Sequence, residues 1–148
     1  MTKNKKVLYA HDFKFGLNNE IGVLNKLKDI SNTIYKTTND FNKFDFRDDE
    51  NKIDIELKSR RIKYGQYPTI FFGKPKLLHG RQKRKDKESN RTIYCFEFIN
   101  KDIYYWEDIG NDEDFKIKMC GNYRNNEKAK PLVDLDIRKL KPLSELVI

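Results

Sequence analysis

Ile53-Asp54-Ile55-Glu56-Leu57-Lys58 is the stretch on which the reading of this chain turns. Alternation along a strand puts Asp54, Glu56 and Lys58 on one face and Ile53, Ile55 and Leu57 on the other. One face suits a core; the other carries two acids and an amine. A carboxylate two residues before a lysine, with a further acid upstream at Asp45, brings hard oxygen ligands and a cation close together. That is equipment for Mg²⁺-assisted phosphodiester hydrolysis.

Outward from this strand, Lys43 to Asp48 reads as its partner and Ile34 to Thr37 as a third member of a meander, separated by Asn/Asp-rich turns. A hairpin turn centred between Glu50 and Asn51 pairs residue numbers that add to 101 and sets Asp45 opposite Glu56. Directly opposed residues have Cβ atoms about 4.5–5.5 Å apart, so both carboxylates could hold one cation. Centring the turn on Glu50 would put Asp45 opposite Ile55 instead. Upstream, Leu17, Ile21, Leu24 and Leu27 recur at helical steps after Gly16, predicting a helix to Ile30. Downstream, Tyr67-Pro68-Thr69 interrupts the chain before Ile70-Phe71-Phe72, and Lys74 to Lys87 is a basic stretch open to helix or loop. Thr92 to Ile99 and Ile103 to Glu107 read as strands joined at Asn100-Lys101-Asp102, with weaker strands at Phe115 to Met119 and Leu132 to Ile137. The pattern predicts one domain over 1–148 of α/β (α+β) class, a central mixed sheet flanked by helices.

Mg²⁺ takes oxygen ligands and keeps several waters, so one or two carboxylates and a phosphate oxygen are enough to place it. Asp45 and Glu56 could supply the carboxylates, with the carbonyl of Leu57 as a third oxygen, and Mn²⁺ is a workable substitute. Lys58, on the same face, would orient the attacking water or stabilise the transition state. The plainer account of Glu56 and Lys58 is a solvated strand face, and Asp48, Asp49 and Asp54 compete with Asp45 for the upstream role. Asp54 also reads as a supporting charge opposite Arg47. Glu20 lies within the apolar helix stripe, where an acid needs a partner: it either snorkels at the edge or points toward the metal site.

With these residues in place, the chain resembles the PD-(D/E)xK nuclease superfamily, and within it the short nucleases of phages and large DNA viruses. The resemblance rests on Glu20 in Gly16-Leu17-Asn18-Asn19-Glu20, on Asp45 in Phe44-Asp45-Phe46, and on Glu56-Leu57-Lys58, in that order. Ser59-Arg60-Arg61, Tyr67-Pro68-Thr69, Gly73-Lys74 and Ile103-Tyr104-Tyr105 extend it over most of Asp12 to Glu107. Phe44 stands where the family's name has a proline, and the helix expected after Glu-x-Lys is weakly marked. The resemblance implies a restriction-endonuclease-like core, a Mg²⁺-dependent deoxyribonuclease with Asp45, Glu56 and Lys58 catalytic and Glu20 accessory, and phosphate contacts at Lys74 and Lys76. It leaves open endo- or exonucleolytic cleavage, the form of DNA or RNA, and whether two subunits pair as a homodimer.

A formal net charge of +8, from 31 Lys+Arg against 23 Asp+Glu, fits a polyanionic partner, with DNA the leading one. Arg60, placed by alternation on the face of Lys58, and Arg61 beside it are the expected phosphate contacts. Arg81 to Lys87 is the densest basic run, and a solvated loop explains it as well as binding does. His11 and His79 lack a ligand cluster, and Tyr104-Tyr105-Trp106 reads as strand packing with one exposed ring. Cys95 and Cys120 lie in no Cys-x-x-Cys spacing and are expected to be reduced and buried. No apolar run approaches the roughly 18 residues of a membrane span, so the expectation is a soluble intracellular protein, in host cytoplasm or nucleus if viral, without membrane contact. The competing function is a non-catalytic nucleic-acid-binding protein that keeps the nuclease core.

Overall fold

The computed structural model describes residues 20–38, 44–121 and 128–148. Helix α1 covers 20–30 and leads into the meander β1 (Ile34–Lys36), β2 (Phe46–Asp48) and β3 (Ile53–Ser59). Strand β4 (Thr69–Gly73) runs directly into helix α2 (Lys74–Lys85), followed by β5 (Arg91–Glu97) and β6 (Ile103–Glu107). The chain closes with β7 (Lys116–Cys120), β8 (Lys130–Asp136) and the short β9 (Lys141–Pro142). The main sheet has the order β1-β2-β3-β5-β6-β9, and a second sheet has the order β4-β8-β7. Every pairing is antiparallel except β3 with β5, which is parallel because the chain crosses over through β4 and α2 between them. The mixed central sheet is as expected; the second sheet, which gathers the weaker strands, is not.

The β2–β3 register is the one that sets Asp45 toward Glu56: Phe46 faces Ile55, Arg47 faces Asp54 and Asp48 faces Ile53. Its cause is local. Asp48 accepts hydrogen bonds from the backbone and side-chain amides of Asn51, at 3.2 and 2.9 Å, and from Ser31 and Thr33 at 2.8 and 2.7 Å. The turn then passes Lys52 through positive φ (53°). Four donors bind the Asp48 carboxylate, and those hydrogen bonds hold its pKa down despite burial. This competitor for the metal-ligand role is occupied in fixing the hairpin.

Strand alternation divides the core into two layers. Ile53, Ile55 and Leu57 join Ile93, Cys95, Ile103 and Tyr105 beneath Val23 and Leu27 of α1. The buried face of α1 is thus carried by Val23 and Leu27, while Ile21, expected in the stripe, is exposed. On the opposite side of the sheet, Tyr94, Phe96 and Trp106 pack with Phe72, Leu77, Val133 and Leu135 from α2 and the second sheet. Tyr105 and Trp106 are both buried and Tyr104 is half-buried, its ring stacked on Tyr64 at 4.0 Å, so no ring of the three is left in solvent. Cys95 is buried as expected, but Cys120 on β7 is exposed.

Candidate active site

The polar face of β3 is covered, not solvated. Asp54 and Glu56 are 2% and 4% exposed, because α2 lies across them. Gly80 lets the helix come close: a Cβ there would meet the Thr92 side chain at 3.0 Å and the Tyr94 hydroxyl at 3.2 Å. Lys76 and Lys83, at i−4 and i+3 from Gly80, share its face and turn toward the sheet. Lys76 Nζ lies 2.9 Å from Glu56 Oε2, and Lys83 Nζ lies 2.8 Å from Asp54 Oδ2. Arg47 also reaches Asp54, at 3.1 Å, as its position opposite that residue predicts. Phe44, buried beside Asp45, stacks on His79 at 5.5 Å and lies 5.6 Å from each of the two ammonium groups.

Asp45 sits one residue before β2, where the ladder with β3 has just ended. Its Oδ2 accepts the backbone N–H of Leu57 at 2.8 Å, which turns the carboxylate toward β3. The N–H and C=O of one strand residue point to the same side, so the carbonyl of Leu57 also faces this open end of the ladder. Glu56 and Asp45 share a hydrogen bond that favours the protonated form of Glu56. Burial, the largest cause, and the Asp45 charge raise the Glu56 pKa to about 8, against the opposing pull of Lys58 and Lys76. Lys58 Nζ is 3.8 Å from Glu56 Oε1. Glu56 Oε2 is buried without a well-aligned hydrogen bond, and Lys76 Nζ lies 2.9 Å from it.

Two carboxyl groups brought side by side, one buried and one half-buried, are a donor set a small divalent cation fits. Hard oxygens, two acids and the nearby Leu57 carbonyl match the sparse protein ligation that Mg²⁺ accepts. Among the described residues no group of three or more His, Cys, Asp or Glu side chains is arranged around a common metal position. Glu20, considered above for that place, is ion-paired with Lys36 on β1.

Comparison with protein families, with characterised proteins and with solved structures returned no match.

The remaining candidates are dispersed. Arg60 donates from Nη2 to the carbonyl of Phe71 at 2.8 Å, Arg61 is exposed, and Lys74 is half-buried in the first turn of α2. The Arg81 to Lys87 run is largely helix and not a solvated loop. Arg81 chelates Asp108 at 3.0 Å through two nitrogens and also pairs with Asp112, while Arg84 binds Asp108 at 2.6 Å and the Thr92 hydroxyl. His79 is in its stacking contact, and His11 lies outside the described residues. Lys83, read from sequence only as part of the basic run, is instead paired with Asp54; Lys76 and Lys83 flanking a glycine at helical spacing match acids spaced two apart on a strand.

Proposed function

We propose that this chain is a Mg²⁺-dependent nuclease of the PD-(D/E)xK type that hydrolyses DNA phosphodiester bonds, with a restriction-endonuclease-like core. The observation that carries the reading is the placement of Asp45 beside Glu56 at the end of the β2–β3 ladder, with Asp45 bonded to the Leu57 N–H at 2.8 Å and Lys58 Nζ 3.8 Å from Glu56. A helix, the strand bearing Glu56-Leu57-Lys58, and after β4 a further helix and strand follow one another, compatible with the order of helix, Glu-x-Lys strand, helix and strand in that superfamily, which also supports it.

Asp45, Glu56 and the Leu57 carbonyl would hold the Mg²⁺, which when bound supplies a more acidic water and offsets charge on the phosphate oxygens. The chain's own residues do the rest. The Leu57 N–H fixes the Asp45 carboxylate before any ligand arrives, so little reorganisation is needed. Glu56 would serve as a ligand in its ionised form, and Lys76, 2.9 Å away, would keep that carboxylate oriented. Lys58 stands at the outer end of the site, where its ammonium group can hold the nucleophilic water or meet the charge that develops on phosphate.

The test is cleavage of labelled linear, nicked, branched and single-stranded DNA, and of RNA, with Mg²⁺, Mn²⁺ or chelator. Wild type should cut with metal only, and Lys58→Ala should lose at least ~100-fold in rate while keeping its fold. Salt-sensitive DNA binding without cleavage on any substrate would mark the non-catalytic alternative. Full activity in both Lys58→Ala and Glu56→Ala would refute the site.

A further inference from the structure

We propose that a cavity at the outgoing end of β3 takes up an unpaired nucleotide next to the scissile phosphate, which makes single-stranded or frayed DNA the substrate in preference to intact duplex. This rests on the nuclease reading above. The cavity, of about 440 Å³, lies between the segment after β3 and the second sheet, and its lining includes Arg60, Ile62, Tyr67, Pro68, Phe71 and Lys118. Its volume falls within the roughly 300–1,000 Å³ of small-ligand sites. Two cations and no acid line it, so its charge complements an anion.

Arg60 is the decisive residue. Burial pulls its pKa down, and among the described residues it has no ion pair; its Nη2 is spent on the Phe71 carbonyl at 2.8 Å and its guanidinium lies 5.7 Å over the Phe71 ring. A guanidinium kept partly out of water without a counter-charge is costly, and a phosphate oxygen would supply one. The aromatics supply the other half of a nucleotide site. Phe71 is 44% exposed and Tyr67 54% exposed, so rings face the cavity mouth where a base could stack. Arg60 follows Lys58 by two residues, a step of ~6.8 Å along an extended chain. A strand whose scissile phosphate sits at Asp45, Glu56 and Lys58 would therefore bring a neighbouring nucleotide to this cavity. A base stacked and paired within a duplex cannot offer its face to Phe71 without being unstacked first.

The experiment is fluorescence anisotropy in chelator, comparing a labelled oligothymidylate with a blunt duplex of equal length. A parallel single strand carries 2-aminopurine to report stacking. Wild type should bind the single strand roughly tenfold or more tighter than the duplex, and Phe71→Leu, at an exposed position that spares the fold, should lose roughly 5- to 100-fold on the single strand alone. Quenching of 2-aminopurine should weaken in the same variant. Equal affinity for the two DNAs, or single-strand binding and quenching indifferent to Phe71→Leu, would overturn the proposal. A cleavage assay with Mg²⁺ on the same samples separates the two readings. No cleavage with the single-strand preference intact removes the nuclease assignment and leaves the pocket; cleavage without that preference removes the pocket alone.

Discussion

Glu56 is the residue at which folding and chemistry pull in opposite directions. In the unfolded chain its carboxyl ionises near 4.5, whereas in the folded metal-free protein it holds its proton to about pH 8. Below the lower value both states are protonated and nothing is lost. As pH rises between the two, the unfolded chain sheds a proton that the folded chain keeps, so metal-free stability falls by up to ~1.4 kcal/mol per pH unit. The loss is complete once pH passes the folded value. Glu56→Gln removes the ionisable group, so its melting temperature in chelator should match wild type near pH 4 to 5 and exceed it increasingly toward about pH 9. Scanning calorimetry across that range checks this, and parallel pH profiles for the two proteins would contradict it. Asp48 shows the reverse arrangement: its donors favour the charged form, as suits a turn-holding carboxylate.

At the scale of elements, α2 decides whether the site exists. It carries little apolar surface, burying only Leu77 and Gly80, and starts at Gly73 without a side-chain cap. Its hold on the sheet is polar, through Lys76 on Glu56, Lys83 on Asp54, and Arg81 and Arg84 on Asp108. Those contacts depend on the close approach at Gly80. In a free helix Gly→Ala gains about 1 kcal/mol. Here the new methyl would press on Thr92, held by Arg84, and on Tyr94, whose hydroxyl bonds the Lys76 carbonyl at 3.1 Å. Overpacking of this kind costs about 1–3 kcal/mol, so Gly80→Ala should be net destabilising by up to about 2 kcal/mol in urea unfolding. It should also slow cleavage, because Lys76 moves with the helix. A more stable, fully active variant would show that the helix is free to shift.

Across the whole molecule, the +8 charge divides into cations that brace the fold and cations left at the surface. Arg84, engaged with Asp108 and Thr92, belongs to the first group; exposed Lys118 on β7 belongs to the second. Salt titration of DNA binding should separate them: Lys118→Ala lowers the log–log slope by about one at unchanged melting temperature, whereas Arg84→Ala lowers the melting temperature and leaves the slope. A slope change in Arg84→Ala without loss of stability would reverse the assignment. The sequence by itself determined the meander and left two possible registers, one of which sets Asp45 opposite Glu56, because alternation is a property of neighbouring residues; the Asp48–Asn51 turn in the structure selects that register. It equally marked Asp54 as the partner of Arg47. Only the tertiary structure decided that Lys116–Cys120, Lys130–Asp136 and Thr69–Gly73 form a second sheet, that the acids of β3 lie under a basic helix, and that Glu20 meets Lys36. Those outcomes depend on which distant surfaces bury each other. A lysine written in a basic run has the same local signature whether its ammonium ends in water or on a buried carboxylate.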